Sequence, residues 1–294
     1  MSNKERVIAL GFFDGVHLGH QALLEACADL AEANGLEPGA VTFGIHPEAL
    51  TQGGAPVLIN TLADRERLLR RWVDAVVTLP FDEHIRTMPW EAFLELLIRD
   101  YGAAGFVCGD DFRFGYKGRG DADALEGFCR ERSLPFCRVP EQALEGIRVS
   151  STHIRTLLEE GRLEEADRFL GHAHILSGTV VPGKQLGRRL GIPTANLRLP
   201  EGTVRLKHGV YACRCRLEGR DYAAVTNIGL RPTVSGEGVT VEPWILDWEG
   251  DLYGKEITLE FLAFLRPEEK FGSLEALKAA IHADADRTRD ILKK

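Results

Sequence analysis

The sequence predicts two domains of different class: an α/β domain with a parallel sheet, then an antiparallel β domain with a terminal helix, joined near residue 172. Two observations predict this. In the first half, short apolar runs alternate with amphipathic segments, the pattern of a parallel sheet covered by helices. After Gly171 the pattern becomes one strand-like run after another across Gly-rich turns, as in an antiparallel barrel or sandwich. No Pro/Ser-rich linker lies between them, so a tight junction is expected, with domains 1–172 and 173–294.

The elements follow in order. "VIALGFF" reads as the first strand, and Leu18–Asn34 as a helix stopped by Gly35. "GAVTFGI", "AVVTLPF", "GFVCGDDF" and "PFCRVP" are further strands. Between them, "TLADRERLLRRW" is a helix capped by Thr61, and "PWEAFLELLIRDYG" a helix with Pro89 at its start and Gly102 at its end. Another helix is expected from Ala122 to Arg132. "SSTHIRTLLEEG" and "LEEADRFLG" predict two short helices before the change of class. "HILSGTVV", "GVYACRCRL", "DYAAVTNIG", "TVEPWILDW" and "EITLEFLAFLR" are the strands of the second domain, with "LEGRD" as a hairpin loop, and Ser273–Leu292 is the terminal helix.

Bulk properties narrow the function. The chain has 294 residues, 44% hydrophobic and 27% charged, with a net charge of -8. Such a chain buries a core and has no global basic field for nucleic acid or an anionic membrane. No nucleic-acid or membrane partner is therefore expected, while a homo-oligomer stays open. The six cysteines form no C-x-x-C pair and read as reduced thiols of a cytoplasmic protein. "MSNKERVIALGFFDG" imitates a signal peptide only until Asp14, and no apolar run approaches a membrane span.

Two regions carry chemistry. After the first strand comes "GFFDGVHLGHQALL", with His17 and His20 three apart at the opening of a helix. A helix N-terminus suits phosphate, Gly15 and Gly19 allow close approach, and imidazoles can donate to phosphoryl oxygens as charge builds. "SSTHIR" puts hydroxyls and an Arg fork at a second helix start, again suited to polyphosphate. "GDDFRFGYKGRGD" supplies an acidic turn after a strand, with basic residues beside it.

The second region contains "GTVVPGKQ", one residue short of a phosphate loop. Gln185 stands where Ser or Thr is needed, and Gly187, Gly191 and Pro193 break the helix that should follow Lys184, so the phosphate loop is rejected. Gly178, Gly183, Gly187 and Gly191 instead permit close turns around a ligand. In "PTAN", Thr194 and Asn196 would face one side of a strand and offer oxygen ligands for Mg²⁺ with ATP. Glu242, inside an apolar strand, is a candidate base for an attacking hydroxyl.

Taken in order, "GFFDGVHLGHQ", "GDDFRFG", "SSTHIR", "GRRLGIPTAN", "GVYA", "NIGLRPT", "LYGKEI" and "LRPEEKF" resemble the prokaryotic bifunctional riboflavin kinase/FMN adenylyltransferase family, over nearly the whole chain. The resemblance implies a Rossmann-like nucleotidylyltransferase domain and a riboflavin kinase-like split β-barrel. The implied substrates are ATP, riboflavin and FMN, with Mg²⁺ as cofactor. It implies that His17 and His20 stabilise adenylyl transfer, while Gly11, Phe12, Asp14, Gly15, Asp111, Ser151, Thr152 and Arg155 hold ATP and FMN. In the kinase, Thr194 and Asn196 would hold Mg²⁺–ATP, Glu242 would be the base, and the four glycines with Arg266 would line the ATP and flavin sites. The chain departs from the family at Gly44–Ile45 before "HP" and at Trp244, where relatives often carry His. A single active domain, or a flavin-binding regulator without turnover, is the competing reading. A tRNA-charging enzyme is disfavoured by chain length and net charge.

Overall fold

The computed structural model describes residues 4–51, 54, 56–183, 192–198, 200–233 and 236–293. These fall into two compact units, one from the chain up to Leu58 and Leu62–Ser151, the other from Ile59–Thr61 and Thr152 onward.

The first unit holds a parallel sheet of β1 (Arg6–Leu10), β2 (Glu37–Phe43), β3 (Ala75–Leu79), β4 (Ala103–Gly109) and β5 (Phe136–Val139). Its order is β3-β2-β1-β4-β5, so the strand order reverses beside β1. In such sheets ligands bind beyond the carboxyl ends of the strands at that reversal. β1 sits centrally because Val7 to Leu10 are apolar throughout and all buried, as a strand covered on both faces requires.

Helices α1 (Leu18–Asn34), α2 (Glu48–Thr51), α3 (Leu62–Leu69), α4 (Glu83–Thr87), α5 (Trp90–Tyr101) and α6 (Ala122–Arg132) surround it. Their ends follow from local chemistry. Asp82 and Asp121 cap α4 and α6 by accepting from Ile85 N and Ala124 N, while Gly35 and Gly102 close α1 and α5 in the left-handed region. One core joins Ile8, Leu10, Leu94, Phe106, Leu125 and Phe128. A two-stranded hairpin of β6 (Ala143–Leu144) and β7 (Ile147–Arg148) leads into α7 (Ser151–Glu160).

In the second unit, α8 (Leu163–Leu170) packs on β8 (His174–Val181) and β13 (Glu256–Arg266). The compact units thus divide after Ser151, the first residue of α7, whereas the change of sequence grammar comes after Gly171. The remaining strands are β9 (Asn196–Leu197), β10 (Gly209–Leu217), β11 (Arg220–Thr233) and β12 (Gly236–Ile245). They close a barrel in the order β10-β11-β12-β9-β8-β13, all antiparallel. The loop between β10 and β11 has φ of 50° at Glu218 and 79° at Gly219, the positive-φ pair of a two-residue hairpin. The short strand β9 closes the barrel. The terminal helix α9 (Leu274–Leu292), capped by Ser273, covers Val210, Val225 and Leu265 with Ala285 and Ile291.

The half-buried Asp167 and the buried His174 should make this unit's stability depend on pH. Burial raises the Asp167 carboxyl from 3.8 to about 8, although its Oδ1 accepts from His174 N at 3.0 Å. Burial, with His172 nearby, lowers the His174 imidazole from 6.5 to about 3. A raised carboxyl contributes stability that is lost as pH climbs from 3.8 toward 8; a lowered imidazole contributes stability that is lost as pH falls from 6.5 toward 3. Between 6.5 and 8 only the first operates. Unfolding by urea should therefore show a loss of about 1–2 kcal/mol over that window. Asp167→Asn, which keeps the acceptor without the ionisation, should flatten it.

Candidate active sites

The first site is built where β1 meets α1. Beyond Leu10 the chain bends tightly through a 3-10 turn at Asp14–Val16, with φ of 61° at Phe13 and 42° at Val16. Positive φ is rare for a β-branched residue, and strain of this kind clusters at functional sites. The turn delivers His17 to the N-cap of α1, where its Nδ1 accepts from His20 N at 3.3 Å. That bond leaves the His17 proton on Nε2. One helical turn on, the His20 ring stacks on His17 with centroids 3.6 Å apart and planes 13° from parallel, and its other neighbour is Phe13 at 5.2 Å. Gly19 makes the stack possible, because a Cβ there would stand 3.2 Å from the His17 ring.

Burial lowers the His20 pKa well below its ordinary value, helped by the neighbouring His17 and Arg65 charges. His20 is therefore neutral at physiological pH, and its buried Nδ1 has no partner among the described residues.

A cavity of ≈ 290 Å³ opens over this pair, lined by Gly11, Phe12, His17, His20, Asp111 and Ser151 among others. The free N–H groups at the start of α1 face a region suited to anions. Ser151 Oγ donates to Asp14 O at 3.0 Å, which ties the start of α7 to the turn. Asp14 is buried within the turn and, like Gly15, stands behind the lining. Thr152 and Arg155 do not line the cavity either; Arg155 Nη2 donates to Thr152 Oγ1 at 3.0 Å, within the second unit.

Sequence reasoning missed three features here. Arg148 lines the cavity and pairs with Asp111 at 2.6 Å and Glu141 at 2.7 Å. Arg65 is buried on α3 beneath Phe12. A neighbouring cavity of ≈ 350 Å³ is lined by Phe43, Phe81, Phe93, Phe112, Phe114 and Tyr116, and Phe112 belongs to both cavities. The alternation in "DDFRFGY" was the available signal for part of this wall.

The second site lies in the barrel unit. Pro193, Thr194 and Ala195, with Val180, Trp248 and Tyr253, line a cavity of ≈ 350 Å³. Another, of ≈ 250 Å³, is lined by Asn227, Glu242, Trp244, Arg266 and Glu268. Thr194 lines both, so one hydroxyl lies on the wall the two share. Glu242 pairs in register with Asn227 across β11 and β12, and Asn227 Nδ2 donates to Glu268 Oε1 at 3.4 Å. Arg266 is held against the buried Asp284 of α9 by Nε and Nη2, at 3.0 and 2.9 Å. Trp244 meets His282 edge-on at 5.8 Å, so an imidazole from α9 flanks the strand two residues beyond Glu242.

Asn196 opens β9 and Thr194 lies just before it; Ala195 N donates to Pro243 O on the same register as the Leu197–Val241 pair, so pairing with β12 continues past the end of β9 toward Thr194. Asn196 lies against Gly183, whereas Gly178 backs onto Arg198 O. A Cβ at Gly183 would fall 2.1 Å from Asn196 Nδ2. Gly183→Ala should displace that amide and lower the activity of the second unit about tenfold or more while leaving that of the first unit unchanged, as separate assays of the two units' reactions would show. Lys184, Gly187 and Gly191 lie outside the described residues. Among the described residues no cluster of three His, Cys, Asp or Glu could hold a metal, so a cation here would depend on neutral oxygens and substrate phosphates.

A parallel sheet with a His pair at its reversal, followed by a closed barrel with paired cavities, defines a two-domain transferase. The FAD synthetase family model matches residues 1–153, and the riboflavin kinase model matches residues 170–292. The chain belongs to the bifunctional riboflavin kinase/FMN adenylyltransferase family. Among its curated relatives, the Pseudomonas fluorescens protein of that name is 37% identical over 96% of this chain and 92% of its own. The Escherichia coli (strain K12) protein is 35% identical, covering 97% and 92%, and the Listeria monocytogenes protein 33%, covering 98% and 93%. A solved structure described as a macrolide-efflux protein from Streptococcus pneumoniae matches with a TM-score of 0.86 and 30% identity over 98% of this chain and 95% of its own. Among the described residues here, no helix is long and apolar enough to cross a membrane.

Proposed function

We propose that this chain phosphorylates riboflavin to FMN within residues 173–294 and adenylylates FMN to FAD within residues 1–172, acting in the cytoplasm. The observation that carries the reading is that each compact unit holds its own cavities, with different chemistry in each.

In the barrel, ATP occupies the cavity walled by Trp248 and Tyr253, and riboflavin the one containing Glu242. Glu242 accepts the proton of the ribityl 5′-hydroxyl as that oxygen bonds to the γ-phosphorus, and ADP leaves. The hydroxyl of Thr194 and the amide oxygen of Asn196 fit Mg²⁺ as hard donors, with Thr194 at the wall shared by both cavities. The bound cation would offset phosphate charge. Arg266, anchored by Asp284, orients substrate beside Glu242.

In the first unit, the triphosphate lies over the N-terminus of α1, and the isoalloxazine enters the aromatic cavity that shares Phe112. An FMN phosphate oxygen bonds to the α-phosphorus of ATP as the bond to pyrophosphate breaks. His17 Nε2–H and the neutral His20 ring donate to the charge that builds there, and Arg148 and Ser151 hold the polyphosphate. Asp14 and Gly15 shape the turn from behind, while Thr152 and Arg155 steady the start of α7.

Incubation of the full chain with riboflavin, ATP and Mg²⁺, followed by chromatography, tests the reading. FMN and then FAD should accumulate with ADP and pyrophosphate. Bound riboflavin with no turnover would make the protein a flavin binder.

A further inference from the structure

Arg65 has a burial that packing alone does not explain. Its side chain is 0% exposed. Its Cζ stands 4.0 Å above the Phe12 ring, whose other flank meets His46 edge-on at 4.4 Å. Nη2 donates to Phe43 O, but Nε and Nη1, both buried, have no partner among the described residues. Burial lowers the guanidinium to about 10, with Asp14 and Glu66 opposing the shift, so it remains a cation at neutral pH. A buried cation with spare donors is expensive, and an apolar residue of the same length would usually be neutral or stabilising there. What it faces is the catalytic turn: Phe12, which lines the His17–His20 cavity, Asp14 within the turn, and His20 itself.

We propose that Arg65 is a positioning residue for adenylyl transfer: its buried guanidinium clamps the back of the Phe12–His20 turn and supplies fixed positive potential behind the stacked histidines. This rests on the reading of that cavity as the adenylyltransferase site. A cation on α3 cannot relax away from the developing charge as solvent would, so its field is already in place when the phosphate attacks. The same field disfavours a second positive charge on His20, which keeps that ring an uncharged donor.

The test uses the full chain as Arg65→Met and Arg65→Lys, with FMN adenylylation, riboflavin phosphorylation, thermal melting and NMR titration of His20 as readouts. Arg65→Met should lower kcat for FAD formation about 30-fold, with KM for FMN little changed. It should also raise the pH at which His20 titrates, and leave melting and FMN formation at wild-type levels. Arg65→Lys should restore most of the rate and the low His20 titration. Full FAD formation in Arg65→Met, or a loss that lysine does not rescue, would overturn the proposal. If Arg65→Met does not fold, Arg65→Gln is read by the same criteria, and failure of both neutral variants to fold makes Arg65 a structural ion and also overturns it. His20→Ala in parallel separates the two levels: FAD formation that survives it removes the underlying reading, whatever Arg65 does.

Discussion

His20→Ala should reduce FAD formation from FMN by roughly 10²- to 10³-fold and leave FMN formation from riboflavin within about twofold of wild type. The expected loss is large because two preorganised effects go together. The ring is a neutral donor held by stacking on His17 at 3.6 Å and by Phe13 at 5.2 Å, so it spends nothing on reorientation when charge develops. Its removal also frees the His17 ring on that face. The fold should survive, since the N-cap bond uses the His20 backbone N–H, which alanine keeps. The effect should fall on kcat more than on the KM for FMN, because the cavity proposed for the flavin ring lies elsewhere, among Phe43, Phe112 and Phe114. A loss of both activities in a folded protein would contradict the division of labour.

Glu242→Gln should reduce riboflavin phosphorylation by roughly 10²- to 10⁴-fold, with FAD formation from supplied FMN unchanged. Glutamine preserves the shape and the register with Asn227 but cannot take the hydroxyl proton. The cavity around it contains Glu268 and Asp284 as well, so the choice of base is itself testable. Asp284 is committed to Arg266 at 2.9 Å, and Glu268 Oε1 accepts from Asn227. With Glu242 as the base, Glu268→Gln should lower the rate far less than Glu242→Gln. A reversed order would move the base to Glu268.

Much of this was legible in the sequence. Leu18–Asn34 and Ala122–Arg132 begin and end where periodicity and caps put them, and four of the five longer barrel strands start at the expected residues or within a few of them. The His17/His20 pair was visible because a helix start and a spacing of three are local features. What was hidden is set by tertiary contacts. The strand β9 has only two residues, too short for any period, and exists because β8 and β12 both pair with it. The left-handed conformations of Phe13 and Val16 have no signature in residue type. The aromatic cavity gathers Phe43, Phe81 and Phe114 from three separate stretches of chain. Arg65 did leave a trace: it stands three residues after Leu62 and three before Leu68, on the apolar face of α3, where a charge is out of place unless the fold has a use for it.

The central claim is that two independent sites act in sequence on one flavin. It is tested most directly by mixing two defective proteins, His20→Ala and Glu242→Gln, with riboflavin, ATP and Mg²⁺, and measuring FAD by chromatography. The first alone should stop at FMN and the second alone should leave riboflavin unchanged, while the mixture should make FAD. A mixture that yields FMN but no FAD, with both proteins folded, would contradict the account.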